Sequence, residues 1–367
     1  MINKVRRSFL AIAVICASVC AALFLCEICV RLFLPQNTYS GGFDYLDEQL
    51  FDLKPDYCGE FACADYRYTC ATDHNRMRLT KTYFDPGKRK SILVIGDSFA
   101  FGMGVDDTET LASVIADSLH KWKIPTLISN ASVPGYSAAE EAEKYHQVKY
   151  LVRPDAVVIV SCFNDFATTL PGCDTIELEG PQNQIESKLQ LWTAVYPTIK
   201  KNLLGHSQLA VLLAIRCNQV LITLGIRDAF RGVMAAYEPF TYIQNKQSVD
   251  NVEIVYKKLF EETRKDSIPT IFVYVPGLLE IDDQLWQTAK QKTPSLDRKL
   301  AHNRIVHAAR QAGFTNVVDP IAAENGKRLM QGLYFPLDMH LNKKGQAYFG
   351  ALIAQKLRDI LALPSFL

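Results

Sequence analysis

The sequence predicts an α/β fold: a doubly wound, flavodoxin-like parallel sheet of five strands in a three-layer α/β/α arrangement, with an N-terminal transmembrane helix and a helical insertion. Three observations predict it. Continuous apolar runs recur at 91–96, 124–130, 155–161, 268–275 and 314–320, as in strands buried on both faces. Segments with helical spacing separate most of them, which makes neighbouring strands parallel. The chain also opens with 19 residues, Ser8 to Cys26, that carry no charge.

That opening stretch is long enough for about 28 Å of helix, close to the hydrocarbon thickness of a bilayer. Lys4, Arg6 and Arg7 precede it, and between Gly41 and Glu60 six acids stand against the single base Lys54. This charge order puts the N-terminus in the cytoplasm and the rest of the chain outside. Glu27 and Arg31, four residues apart, can pair on one helix face. A cleaved signal peptide and a buried core helix are the competing readings. The apolar run is long for a signal, and no lipobox precedes the early cysteines, which favours a retained signal-anchor over residues 1–35.

Residues 36–88 mix aromatics (Tyr39, Phe43, Tyr45, Phe51, Tyr57, Phe61) with acids and turn residues, and read as a tether with a small N-terminal subdomain. The regular domain covers 89–362. SILVIG at 91–96 is its first strand and ETLASVIADSLHKW its first helix, followed by IPTLISN at 124–130. Ser137 and Glu140 form an S-x-x-E capping box that opens a helix through about Leu151. DAVVIVS, IPTIFVYV and FTNVVDP supply the remaining strands, with helical segments at about 249–266, 297–312 and 343–362. Residues 171–248 interrupt the alternation as a helical insertion, a lid if it covers the site. Its apolar stretch 209–225 contains Arg216, Asn218 and Gln219, which suits an amphipathic helix on the sheet, the site or the membrane better than a second span.

Lys and Arg number 40 against 39 Asp and Glu, so the basic footprint of a nucleic-acid binder is missing. At 49% hydrophobic and 22% charged residues, the chain is rich enough in apolar sequence for a large core and unlike a disordered one. Of its ten cysteines, Cys16, Cys20, Cys26 and Cys29 lie in or beside the span. The other six (Cys58, Cys63, Cys70, Cys162, Cys173 and Cys217) permit disulfides in an exported domain, with Cys162 and Cys173 as a candidate bridge. Their spacing matches no zinc knuckle.

Chemistry in a doubly wound sheet gathers at the carboxyl ends of the strands. The first strand ends in Gly96-Asp97-Ser98, and a serine on a strand-to-helix turn presents its Oγ above the sheet as a nucleophile. The second leads into NASVPG, where Gly135 can offer a backbone N–H to an oxyanion or simply serve a turn. The third ends in SCFND, where Asn164 can donate its amide to the same oxygen or, with Asp165, form an ordinary turn. Near the C-terminus, YFPLDMHLN places Asp338 two residues before His340, on one side of an extended chain. Such a histidine can act as a base toward Ser98 while the acid orients its ring. The other six histidines lack this combination of neighbouring acid and loop position.

Together these four blocks resemble the SGNH/GDSL hydrolase superfamily, over about residues 75–360. The anchored N-terminus, with CEICVRLFLP after the span, looks like that of its membrane-tethered bacterial members. The resemblance implies Ser98 as nucleophile, and Ser98, Gly135 and Asn164 as oxyanion donors. It implies Asp338 and His340 as the rest of a triad, with no metal or organic cofactor. Two departures stand out: Cys162 replaces the glycine of the family's G-x-N-D block, and Leu337 occupies the position where D-x-x-H would place the acid. The implied function is extracytoplasmic, membrane-anchored ester hydrolysis through an acyl-enzyme, on a small-molecule or glycan ester. An O-acyltransferase of a cell-surface glycan would use the same triad, and a non-catalytic glycan-binding scaffold is the third alternative. Acyl and alcohol specificity and oligomeric state leave no mark in the sequence.

Overall fold

The computed structural model describes residues 2–34, 43–45, 51–62, 65–83, 89–165, 206–223, 237, 246–323, 325–336 and 338–361. The chain falls into two compact units, one of residues 1–41, 61–63 and 180–229, the other of residues 42–60, 64–179 and 230–367.

The first unit contains helix α1 (Ile2–Phe33), whose segment Phe9–Phe33 is long and apolar enough to cross a membrane by length and composition. Glu27 and Arg31 pair at 2.7 Å, as the spacing predicts. A helix of the insertion, Gln208–Thr223, begins against them. The Glu27 carboxylate accepts from the Gln208 and Leu209 N–H groups and the Ser207 hydroxyl, while Arg31 donates to the His206 carbonyl at 2.8 Å. Glu27 thus satisfies N–H groups that the start of that helix leaves unpaired. At 16 residues this helix is shorter than a second span requires. Most of the insertion, including any lid, lies outside the described residues.

The second unit carries the expected sheet. Its strands are β1 (Lys90–Gly96), β2 (Thr126–Asn130), β3 (Ala156–Cys162), β4 (Thr270–Val275) and β5 (Val317–Val318), all parallel and in the order β2-β1-β3-β4-β5. This is the flavodoxin-like order. Every residue of β3 and β4 is buried, which is why both read as unbroken apolar runs. One face packs on helices Leu111–Lys121 and Lys343–Leu361, through Ile115, Leu119, Phe349 and Ile353. The other packs on Ala138–Val152, Lys246–Lys265 and Leu300–Ala312, through Tyr145, Tyr256 and Ile305.

Strand boundaries are tighter than the apolar runs for a local reason. β2 and β4 both begin at the threonine of an Ile-Pro-Thr sequence, because Pro125 and Pro269 have no N–H for the ladder. β5 keeps only two residues of the predicted seven: it is an edge strand, and Pro320 turns the chain into a short helical turn at Pro320–Ala322. The Ser137 capping box forms as predicted, with the Ser137 N–H donating to the Glu140 carboxylate at 2.8 Å. Helix Leu300–Ala312 stops at Gly313, whose φ of 111° lies in the left-handed region.

Candidate active site

β1 ends at Gly96, where the chain passes so close to β3 that an added Cβ would stand 2.6 Å from the Val160 carbonyl oxygen. Only glycine fits there. The next residue, Asp97, caps the short helix Ser98–Phe101 by accepting the Phe99 N–H at 2.9 Å. Ser98 therefore starts a helix directly above the carboxyl end of β1, between β2 and β3. Its Oγ lies 2.8 Å from His340 Nε2. On the far side of the ring, His340 Nδ1 hydrogen-bonds Asp338 Oδ1. With Asp338 ionised, Nδ1 carries the ring proton and Nε2 is left to accept from the Ser98 hydroxyl. Burial pushes the Asp338 carboxyl up, but the hydrogen bond to His340, its charge and the Tyr66 hydroxyl outweigh that and hold it below its ordinary value.

Asp338 and His340 meet by a different route from the extended chain the sequence suggests. Met339 between them has a φ of 68°, the left-handed region that side chains rarely adopt. The loop is closed by Phe335 N–H donating to the His340 carbonyl at 2.8 Å, and Met339 N–H donating to the Phe335 carbonyl at 3.1 Å. It is this tight turn, not a pleat, that aims both side chains the same way. Two residues from the segment read as a tether also reach it: the Tyr66 hydroxyl donates to Asp338 Oδ2 at 3.1 Å, and Asp65 Oδ2 accepts the Asp338 N–H at 2.6 Å. No motif in the sequence marks either one.

Asn164 follows β3. Its amide nitrogen donates one hydrogen to Asp97 Oδ2 at 3.2 Å, which leaves the second amide hydrogen for another acceptor. Its Oδ1 accepts from the Cys162 thiol, whose sulfur also lies 3.1 Å from Asp97 Oδ2. Cys162 is a free, buried thiol and not the bridge partner its position suggested, because its sulfur is turned into this polar cluster. Cys173 lies outside the described residues. Burial, with Asp97 and Asp165 nearby, pushes the Cys162 thiol far above its usual range, so it remains a donor. Gly135 has a φ of 89°, and among the described residues its N–H makes no hydrogen bond. Its loop is tied to the sheet by Val133 N–H donating to the Gly96 carbonyl at 3.0 Å, and to the Asn164 loop by Ala138 N–H donating to the Asp165 carbonyl at 3.3 Å.

Beneath the turn, ligand-type atoms of Asp97, Cys162 and Asp165 lie within 4.8 Å of one another. Both Asp97 oxygens and Asp165 Oδ2 already accept protein hydrogen bonds. Burial pushes Asp165 and the neighbouring Glu141 well above the carboxylate range, which puts protons on this cluster. The other histidines serve elsewhere: His302 pairs with Asp319 at 2.9 Å, and His120 stacks on Tyr83.

No family model and no curated protein matches the sequence. Among solved structures, similarity is found to TesA (14% identity, TM-score 0.40, covering 74% of this chain and 99% of that one). A lipase/acylhydrolase from Enterococcus faecalis matches at 13% identity and a TM-score of 0.41, over 74% and 97%. An acetylxylan esterase from Geobacillus stearothermophilus matches at 13% and 0.36, over 77% and 98%. Identities this low carry no residue roles across, so the chemistry has to come from the geometry of Ser98, His340 and Asp338.

Proposed function

We propose that this chain is a membrane-anchored ester hydrolase of SGNH/GDSL type, with its α/β domain outside the cytoplasm and a serine-centred acyl-enzyme. One observation carries the reading: a Ser98 hydroxyl 2.8 Å from the Nε2 of an imidazole whose Nδ1 is held by a half-buried carboxylate. Ser98 Oγ attacks the ester carbonyl carbon and passes its proton to His340. The Ser98 and Gly135 N–H groups and the second Asn164 amide hydrogen face the oxygen on which charge grows, so they stabilise the transition state more than the bound ester. His340 then returns the proton to the leaving alcohol. Water, deprotonated by the same ring, attacks the acyl carbon and releases the acid with Ser98 restored.

Short p-nitrophenyl esters, a fluorophosphonate probe and an oligosaccharide acceptor test this together. Hydrolysis and covalent labelling of the wild type, both abolished in Ser98→Ala, are expected. Acyl transfer to the oligosaccharide in place of release to water would make the chain an O-acyltransferase instead, and labelling of Ser98→Ala at the wild-type level would remove Ser98 from the chemistry. For topology, a C-terminal alkaline phosphatase fusion should be active, and a fluorescent protein that matures only in the cytoplasm should stay dark.

A further inference from the structure

We propose that Asp65 and Tyr66 are positioning residues that clamp Asp338, and through it His340, in the geometry that takes the proton from Ser98. The inference rests on the hydrolase reading above. With a single residue between acid and base, the loop brings the two side chains together through a turn in which Met339 has a φ of 68°. A left-handed backbone costs a non-glycine residue roughly 1–2 kcal/mol, so the turn needs contacts that hold it. The backbone hydrogen bonds within the loop fix Phe335, Met339 and His340, and among the described residues none of them takes the Asp338 N–H, while His340 holds the carboxylate from its own side through its ring and its backbone N–H.

Both of those groups are held from residues 65–66. Asp65 Oδ2 accepts the Asp338 N–H at 2.6 Å, and the Tyr66 hydroxyl donates to Oδ2 at 3.1 Å while His340 takes Oδ1. A carboxylate bonded on both oxygens cannot swing away from the imidazole. The clamp is itself supported: the Tyr66 ring lies 4.9 Å from Phe335 and 5.6 Å from Tyr68, centroid to centroid. The Asp338 and His340 side chains are 24% and 21% exposed, so without the clamp water can compete for the carboxylate. The segment before the α/β domain thus contributes the second half of the acid's environment.

Tyr66→Phe in the full-length protein tests this, because it keeps the ring on Phe335 and removes only the hydroxyl. The expected result is a kcat about tenfold lower with KM unchanged, a matching drop in fluorophosphonate labelling rate, and a thermal midpoint within about 2 °C of wild type. The downfield Nδ1 proton resonance of His340 should also move, a signature that a purely packing role would leave in place. Asp65→Asn, which keeps an oxygen for the Asp338 N–H, should lose less activity than Asp65→Ala. A Tyr66→Phe protein with wild-type kcat and an unmoved resonance overturns the clamp, as does a rate loss that merely follows a collapsed thermal midpoint. A wild type inert to both esters and probe would sink the hydrolase reading instead, and the His340 resonance would still report on the clamp.

Discussion

Ser98 stands on a turn whose supports come from its own strand and the strands on either side of it. Asp338 stands on a loop whose decisive supports lie some 270 residues away in the chain, at Asp65 and Tyr66. On the nucleophile side, Gly96 permits the close approach to β3, Asp97 caps the helix and holds the Asn164 amide, and the Val133 N–H closes on Gly96. These are consequences of one strand–turn–helix pattern repeated across a parallel sheet. On the acid–base side, a strained turn at Met339 is held by a segment that belongs to no strand of that sheet. The lesson concerns where a triad is fragile. In the proposed triad the nucleophile is held by contacts within the sheet, whereas the acid is held by contacts from residues 65–66.

The sharpest way to break this contrast is Asp338→Asn. An asparagine can keep the loop's shape but forces the wrong imidazole tautomer, an exchange that costs roughly 10⁴-fold in serine hydrolases that share this arrangement. Turnover on a short p-nitrophenyl ester should fall by that order while circular dichroism remains that of the wild type. A loss under about tenfold would mean that another group orients His340. The pH profile of stability adds a check of sign. Because the folded-state pKa of Asp338 is depressed, its contribution is present above the unfolded carboxylate value and is lost as pH falls through the folded one. Wild type and Asp338→Asn should therefore differ in thermal midpoint at neutral pH and converge in acid.

The same contrast explains what could be read from the amino acids alone. β1 to β4, the capping box at Ser137 and the turn at Ser98 follow from local patterns, apolar runs and motif spacing, while the strand starts at Thr126 and Thr270, after Pro125 and Pro269, come from the structure. The candidate site residues Ser98, Asp338 and His340 sit at ends of such elements or in short motifs, whereas Gly135 and Asn164 read equally well as turn residues and are singled out by the family resemblance. Tyr66 and Asp65 carry no such mark, because their partner is distant in sequence and their own segment has no regular period. Met339 escapes for a related reason: a left-handed φ at a methionine runs against propensity and is imposed by the loop's closure. Cys162 reads from the sequence as one half of a candidate bridge, since spacing alone cannot show that a sulfur turns inward toward Asp97.

Asn164→Ala sharpens the nucleophile side. If Asn164 is held by Asp97 and Cys162 so that its free amide hydrogen meets the oxyanion, its removal should cost roughly 100- to 1,000-fold in turnover, or about 2.7–4 kcal/mol of transition-state stabilisation. As a turn residue only, it would cost about 1 kcal/mol of stability and leave turnover almost untouched. Turnover and thermal midpoint measured on one preparation separate the two. A normal rate with a lowered midpoint would leave the oxyanion to backbone donors alone.

The smallest expected effect lies under that turn, at Glu141. Its carboxyl is fully buried, both oxygens lack a hydrogen-bond partner among the described residues, and the titratable groups that face it are Asp165, Asp97 and Glu140, all acids. Burial first, and then these neighbours, push its pKa well above the ordinary value of 4.5. Glu141 is therefore protonated in the fold at pH values where the unfolded chain has released the proton. The unfolded state then binds fewer protons than the native state, so stability falls as pH rises past the unfolded value, until the folded value is reached. Asp165, shifted the same way by burial and by Asp97, adds to the slope. Glu141→Gln keeps the shape and cannot ionise. Its thermal midpoint should decline less than that of the wild type between about pH 5 and 8, with ester turnover at neutral pH little changed, since Glu141 touches neither Ser98 nor His340 in the hydrogen-bond network. Equal slopes for the two proteins would mean that Glu141 is ionised in the fold, and that a cation or water must reach the acids beneath the nucleophile.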